Sequence, residues 1–532
     1  MAGPAMSDTM TPVVPREGVQ GIILRGYESL EEARFLLLYF PDHKIEACRN
    51  WLKSILSDIR NATVRPTGED TAVNVAFTHK GLGNLGLEEV EPSGFSGFAR
   101  EFVDGMDTKP EKEEDEPPTY RQRILGDLGS SEPAKWDWGK YDDPQPVNAL
   151  LMLYAGKKDA LDDLTEKHRK ILGENGIAIL RTLDTTDLHD RKEQFGFRDG
   201  IGQPHIIGVA KSPHPNNLIN PGEILLGFPN AYNVCPVSPA VAGKNGTDLV
   251  NFGYGGSYLV FRQLRQDVLK FWQYLYDKTE RTGVNQDERV KECIKLASKI
   301  VGRWPSGCPL AQSPEADNPS LKDEDDFGYQ SADSNGTRVP IGAHVRRSNP
   351  RDSLEPGPGG KGRLSLEESR RVTLLHRMIR RGRPYGPAVH SSMEPAQILA
   401  SKPDDQERGL HFICFNADIA RQFEFVQQTW LNNPKFGGLY EDNDPIMGQR
   451  HPDRVDITDT FTLQSSPIRR RFRSLPEFVT VRGGAYFFMP GMEALKHLAG
   501  LPYNLPPSSR EELGMPEDSP STTASTPAAA KT

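Results

Sequence analysis

Apolar positions along the chain change their period in a recurring order, which predicts alternating strands and helices. Gly21–Tyr27 (GIILRGY) and Arg34–Phe40 (RFLLLYF) are short apolar runs of strand length. Between Lys44 and Arg60, apolar residues fall at Ile45, Cys48, Trp51, Leu52, Ile55 and Leu56, the spacing of a helix with one buried face. Thr71–His79 (TAVNVAFTH) returns to alternation and reads as a strand. The cycle recurs as strand Asn148–Gly156, helix Lys158–Glu174 and strand Gly176–Leu183, then as strand Ser257–Leu264 and helix Gln266–Glu280. A fourth cycle comprises strand Leu410–Asp418, helix Ala420–Asn433, a strand pair over Phe478–Gly483 and Ala485–Pro490, and helix Gly491–Gly500.

Helices and strands therefore mix in both halves, with connections suited to a split βαβ arrangement, and the two halves follow similar logic. This predicts an α+β protein. Residues 106–146, rich in Glu, Pro, Lys and Asp, read as a long surface loop, and residues 309–363 show little periodicity. The expected division is a flexible arm over 1–17, one α+β domain over 18–215, a second over 216–505, and a disordered tail over 506–532.

Composition narrows the function. The chain has 532 residues, 36% hydrophobic and 26% charged, with a net charge of −9, so a basic nucleic-acid footprint is absent overall. Its charge is uneven: Lys109–Pro118 is acidic, whereas HVRRSNPR and HRMIRRGRP are basic, a pattern suited to a small anionic ligand. The five cysteines lack CxxC spacing, which argues against a zinc site or a disulfide framework. No apolar signal region begins the sequence, and FLLLYF is too short to cross a bilayer. The expectation is a soluble cytoplasmic protein without membrane or nucleic-acid partners, with homo-oligomerisation left open.

Three segments carry candidate chemistry. In EQFGFRDGIGQPHI (Glu193–Ile206), Asp199-Gly200 is a turn dipeptide whose neighbouring glycines allow close backbone approach. In VPIGAHVRRSNPRD, His344 stands among Arg346, Arg347 and Arg351, an imidazole for a metal beside guanidiniums for carboxylates. Haem, with a central iron and two propionates, is such a ligand. In LLHRMIRRGRPYG, the apolar frame of Leu374, Leu375, Met378 and Ile379 predicts that one of Arg377, Arg380, Arg381 and Arg383 points inward.

Taken together, GFRDG, GAHVRRSNPR, RMIRRGRPYG, HFICFNADIARQFEFVQQTW and FVTVRGGAYFFMPG resemble, in this order, segments of the dye-decolorizing peroxidases, over about residues 20–500. The resemblance implies two ferredoxin-like domains of the dimeric α+β barrel type with long loop insertions. It implies one haem b per chain, hydrogen peroxide as oxidant, and aromatic or dye-like reductants oxidised at the surface. It assigns His344 to the iron, Asp199 to proton transfer during peroxide cleavage, and Arg380 to charge stabilisation. Arg351 would bind a propionate, and Gly200, Leu410 and Phe412 would border the haem. Asp444 is the expected acceptor for the other His344 nitrogen, with Asp418 as the alternative. Gly382 stands where some relatives carry an Asn, and Tyr385 is one candidate for surface electron transfer. A haem-binding or iron-handling protein without turnover is the second reading. A binder of phosphorylated metabolites is a third, with no glycine-rich phosphate loop to support it.

Overall fold

The structure is a computed structural model that describes residues 13–515 apart from 92–93, 95, 110–117, 211–214, 247, 281–284, 355–363, 451–458 and 466. Nine strands form one antiparallel sheet: β1 Glu32–Tyr39, β2 Thr71–Phe77, β3 Ala149–Ala155, β4 Ala178–Asp184, β5 Ser257–Gln266, β6 Ile379–Arg380, β7 Arg383–Tyr385, β8 Gly409–Asn416 and β9 Val479–Met489. Their order is β6-β8-β5-β9-β2-β3-β1-β4, with β7 also pairing with β8. Counting β6 and β7, which both pair with β8, as one position, each half repeats one arrangement: its fourth strand lies beside its first, then its third, then its second. That is the ferredoxin-like α+β order, present twice, and the halves join where Phe488 of β9 pairs with Phe77 of β2.

Both faces of the sheet are buried, which explains why strands such as Ala149–Ala155 (ALLMLYA) read as continuous apolar runs. Alternate side chains feed two cores. On one face, Leu36, Val75, Leu151, Val260 and Phe488 pack beneath the helices α1 Ile45–Ile55, α2 Lys158–Glu174, α3 Val268–Lys278, α4 Gln286–Val301 and α6 Met492–Leu498. On the other, Phe35, Leu150, Phe261 and Phe487 meet Ile22, Tyr27, Leu225 and Phe228 from covering segments. The short helix α5, His344–Ser348, lies against α4.

Several expectations are corrected. Gly21–Tyr27 holds no strand; Gly21–Leu24 is a helical turn that buries Ile22 and Ile23 over the sheet, a short apolar run being ambiguous between the two forms. Helix α4 lies where no element was read. The strand pair near the C-terminus is the single strand β9. Its Gly483-Gly484 step admits close neighbours: a Cβ on Gly483 would lie 2.5 Å from the Trp138 indole nitrogen, and one on Gly484 would lie 2.5 Å from Met106 Sδ. The stretch 106–146 is therefore more than a surface loop. Leu125, Trp136 and Trp138 are buried, and Asp127 forms an ion pair with Arg262 of β5, each side chain 2% exposed. The stretch 309–363 contributes Leu310, Tyr329 and Val339 to a small core of its own.

The arm and tail are docked where they are described. Val14 is buried, Arg16 donates to Val209 O, and Glu512 Oε1 accepts from Asn251 Nδ2 at 2.8 Å. The rest of both segments, 1–12 and 516–532, lies outside the described residues. Among the described residues no helix is long and apolar enough to cross a membrane.

Two buried histidines make stability pH-dependent. Burial pushes both His168 of α2 and His411 of β8 down to about 4. Unfolding lets each bind a proton from an ordinary pKa near 6.5. The unfolded chain therefore binds more protons between those values, and stability falls as pH drops from about 6.5 toward 4, by on the order of 3 kcal/mol per histidine. Thermal melts of His168→Gln across this range should show a shallower slope than wild type.

Candidate active site

The motif segments converge on a cavity of about 260 Å³ between the second-half sheet and the loops that cover it. His344, Asp199, Arg380, Leu410 and Phe412 all line it. Strand β8 works as its alternation predicts: Leu410 and Phe412 face the cavity, whereas His411 turns away and is buried against Phe35, Phe261 and Tyr385. The segment expected to be an α-helix over Ala420–Asn433 is wound as π-helix over Ala420–Glu424 and Val426–Leu431. Its wider turns bring Phe423, Val426, Gln427 and Leu431 to the same wall, a use of π-winding common at functional sites.

At the start of α5, the His344 ring lies with Nδ1 3.0 Å from Asp444 Oδ2 and 3.1 Å from Oδ1. Asp444 is fully buried and also accepts from the amides of Ile446 and Met447, at 2.9 and 2.7 Å. Burial works against the charged ring of His344, but the adjacent carboxylate outweighs it and raises the pKa above the ordinary value. Burial likewise opposes ionisation of Asp444, yet His344, the Met447 amide and the charge of Arg347 hold its pKa below the usual range. With Nδ1 engaged, Nε2 is the nitrogen left for the cavity. Asp418, the alternative partner, instead pairs with Arg421 at 3.3 Å.

Helical geometry corrects the arginine reading. His344, Val345, Ser348 and Asn349 line the cavity, as residues four apart on α5 must share a face. Arg346 and Arg347 fall on the other side, where Arg346 meets Asp333 at 3.2 Å and Arg347 bonds backbone carbonyls including Trp430 O at 2.7 Å. Arg351 does not line the cavity either. It packs behind the wall in an ion pair with Asp325, its guanidinium 3.9 Å from the Phe327 ring centre.

The cations on the wall come from elsewhere. Arg303 meets Asp325 at 2.8 Å, and Arg377 bonds Asn217 Oδ1 and Gly202 O. Burial pushes the Arg377 guanidinium down to about 9, with Asp325 opposing and Arg351 and Arg380 adding to the shift. Thus Arg377 and Arg380 of the basic stretch both point inward, while Arg381 and Arg383 bond backbone carbonyls of the covering segment 22–30. Arg303 and Asp325 carried no sequence signal, since neither belongs to a basic run or a recognisable motif.

Asp199 and Arg380 sit where this cavity meets a second, outer one of about 400 Å³. Both residues line each cavity, as do Glu193, Gly382 and Leu410; Gly200 lines the outer one. The Asp199 amide donates to Arg191 O at 2.8 Å, and Gly200 has φ +77°, a conformation that favours glycine. Arg380 is anchored through Nη2 to Ile201 O at 2.8 Å. Tyr385 lines neither cavity; it is buried and stacked on His411 at 4.5 Å.

No family model matches the chain. Among individual proteins, the multifunctional dye peroxidase DyP2 of an Amycolatopsis species is 31% identical over 389 residues, 69% of this chain and 74% of that protein. Peroxidase 2 of Mycetinis scorodonius is 27% identical over 512 residues, 90% of this chain and 86% of that protein. A solved dye-decolorizing peroxidase in complex with 2,6-dimethoxyphenol superposes with a TM-score of 0.69 at 25% identity, covering 92% of this chain and all of that one. The chain belongs to the dye-decolorizing peroxidases, which are haem oxidoreductases.

Proposed function

We propose that this cavity holds one haem b, that His344 would ligate its iron, and that Asp199 and Arg380 would handle hydrogen peroxide. The observation that carries the reading is the His344 imidazole, its Nδ1 fixed by a buried carboxylate, in a cavity that Asp199 and Arg380 also line. The residues present fit the group. Among the described residues no cluster of three or more His, Cys, Asp or Glu could hold a bare ion. Of the two imidazoles on the cavity wall, His376 engages Arg421 O through Nδ1 and stacks on Phe425, whereas His344 keeps Nε2 for a metal that brings its other ligands with it. Leu410, Phe412, Leu264, Val345 and Met447 supply apolar walls, and Arg303, paired with Asp325, and Arg377 supply cations. The propionate contact expected of Arg351 falls, on this reading, to Arg303 and Arg377.

The haem supplies the iron that activates hydrogen peroxide. His344 holds it through Nε2, while Asp444 accepts from Nδ1–H and so fixes the tautomer and ring orientation. Asp199 would take a proton from one oxygen of hydrogen peroxide and return it to the oxygen that leaves as water. Arg380 stabilises the negative charge that develops on the leaving oxygen. Leu410 and Phe412 narrow the space beside them, so bulky reductants give up electrons at the protein surface. Tyr385, being buried, would relay such electrons rather than receive them from a dye; Tyr120, Tyr141, Tyr232 and Tyr440 are exposed. A pure haem carrier would need His344 alone, and the Asp199–Arg380 pair favours turnover.

The test is peroxide-dependent oxidation of 2,6-dimethoxyphenol and of an anthraquinone dye by the haem-loaded chain. The reading predicts turnover of both well above that of free haem at equal concentration. Rates no higher than free haem would remove it.

A further inference from the structure

Glu193 lies six residues before Asp199 and lines both cavities, yet the peroxide chemistry described above gives it no part. We infer that Glu193 is the positioning residue for Asp199, its carboxylate acting as the brace of the turn that carries the acid–base group. This rests on the proposed role of Asp199.

The geometry is local and specific. Glu193 Oε2 accepts from the Phe195 amide and Oε1 from the Phe197 amide, each at 3.0 Å. Among the described residues no backbone acceptor takes either amide, so the carboxylate stands in for one. The Glu193 amide closes the loop by donating to Phe197 O at 2.9 Å, and Gly196 N donates back to Glu193 O at 2.8 Å. Gln266 of β5 then donates through Nε2 to Glu193 Oε2 at 2.6 Å and ties the turn to the central sheet. Burial pushes the carboxyl up to about 7, and the three donors and the charge of Asp199 act on it in opposite senses.

Neighbouring residues complete the mount. Gln194 Nε2 donates to Tyr385 O at 2.8 Å, and Trp272 Nε1 donates to Phe195 O at 3.1 Å. The turn is thereby fixed to β7 and to α3. These contacts hold its outer side, whereas Glu193 alone gathers its inner amides. Without the carboxylate, Phe195 N and Phe197 N lose their acceptor in a region where Phe195 and Phe197 are buried. The turn must then rearrange, and Asp199 follows two residues later.

The experiment compares Glu193→Ala and Glu193→Gln with wild type. In the apo-protein, hydrogen exchange is read by mass spectrometry on peptides spanning 193–199. In the haem-loaded protein, kcat/KM is measured for hydrogen peroxide, with the resting Soret spectrum as the check on haem binding. The brace predicts exchange at least tenfold faster in this segment for Glu193→Ala and a tenfold or larger fall in kcat/KM, with the resting spectrum unchanged. Glu193→Gln, which keeps one acceptor oxygen and turns an amide NH2 toward the remaining donors, should fall between the two and serves as the second variant if Glu193→Ala does not fold. Unchanged exchange in either folded variant, or unchanged kcat/KM with faster exchange, overturns the inference. The outcome is separable from the fate of the site itself: if Asp199→Asn leaves the peroxide rate intact, the role of Asp199 fails, whereas the exchange result still reports on the turn.

Discussion

Asp199→Asn is expected to slow the reaction of the haem-loaded chain with hydrogen peroxide by about 10²–10⁴-fold, the span typical of a lost acid–base group. The substitution keeps the shape of the side chain and its acceptor oxygen, so the bond from the Gly200 amide to Oδ1, 2.6 Å in the wild type, is retained. What disappears is the capacity to take up and return a proton. Arg380, anchored to Ile201 O, still faces the cavity and still stabilises charge, which accounts for the residual rate. Haem content should stay at the wild-type level, because Asp199 stands at the mouth of the cavity, apart from the His344–Asp444 pair. Rapid-mixing absorption against peroxide concentration checks this. A rate within threefold of wild type would assign proton transfer to another group.

His344→Ala is expected to have two effects, one on haem and one on the fold. Loss of the imidazole removes the only His, Cys, Asp or Glu ligand the reading assigns, so titration with haem should give no saturable Soret shift of the wild-type form. It also strands Asp444. That carboxylate is fully buried and keeps its bonds from the Ile446 and Met447 amides, but loses the ring that balances its charge. Removing one partner of a buried ion pair costs about 3–5 kcal/mol. Chemical denaturation of the apo-protein should therefore show a lower midpoint for His344→Ala, with Asp444 the cause. The double variant His344→Ala/Asp444→Ala should recover part of that loss while still failing to bind haem. Equal stability of the single and double variants would contradict the account of the pair.

The sequence made the architecture legible wherever burial imposed a period. The cycles of strands and long helices appear because the central strands are buried on both faces and the helices on one. The exceptions have physical causes. Gly21–Leu24 is too short for its period to distinguish a turn of helix from a strand. Residues 106–146 look polar because their buried residues are few and irregularly spaced: Trp138 lies against Gly483 of β9, and Asp127 pairs with Arg262. That His344, Asp199 and Arg380 line one cavity was legible because their segments resemble those of a known family. Asp444 was legible as one of two carboxylates, and only the three-dimensional arrangement separates it from Asp418. The structure departs from the arginine reading where linear proximity stood in for direction. Arg346, Arg347 and Arg351 are near His344 in the chain, but the helix and the bend after it aim them elsewhere. Arg303 and Arg377 reach the cavity from separate segments, which no local pattern could join.

The most direct test mixes one equivalent of hydrogen peroxide with the haem-loaded chain and follows the Soret band, for wild type, Asp199→Asn and His344→Ala side by side. The account predicts a fast change in wild type, the same change slowed by orders of magnitude in Asp199→Asn, and no comparable band to follow in His344→Ala. A wild-type Soret band that peroxide leaves unmoved, or a His344→Ala protein that binds haem and responds as wild type does, would contradict it.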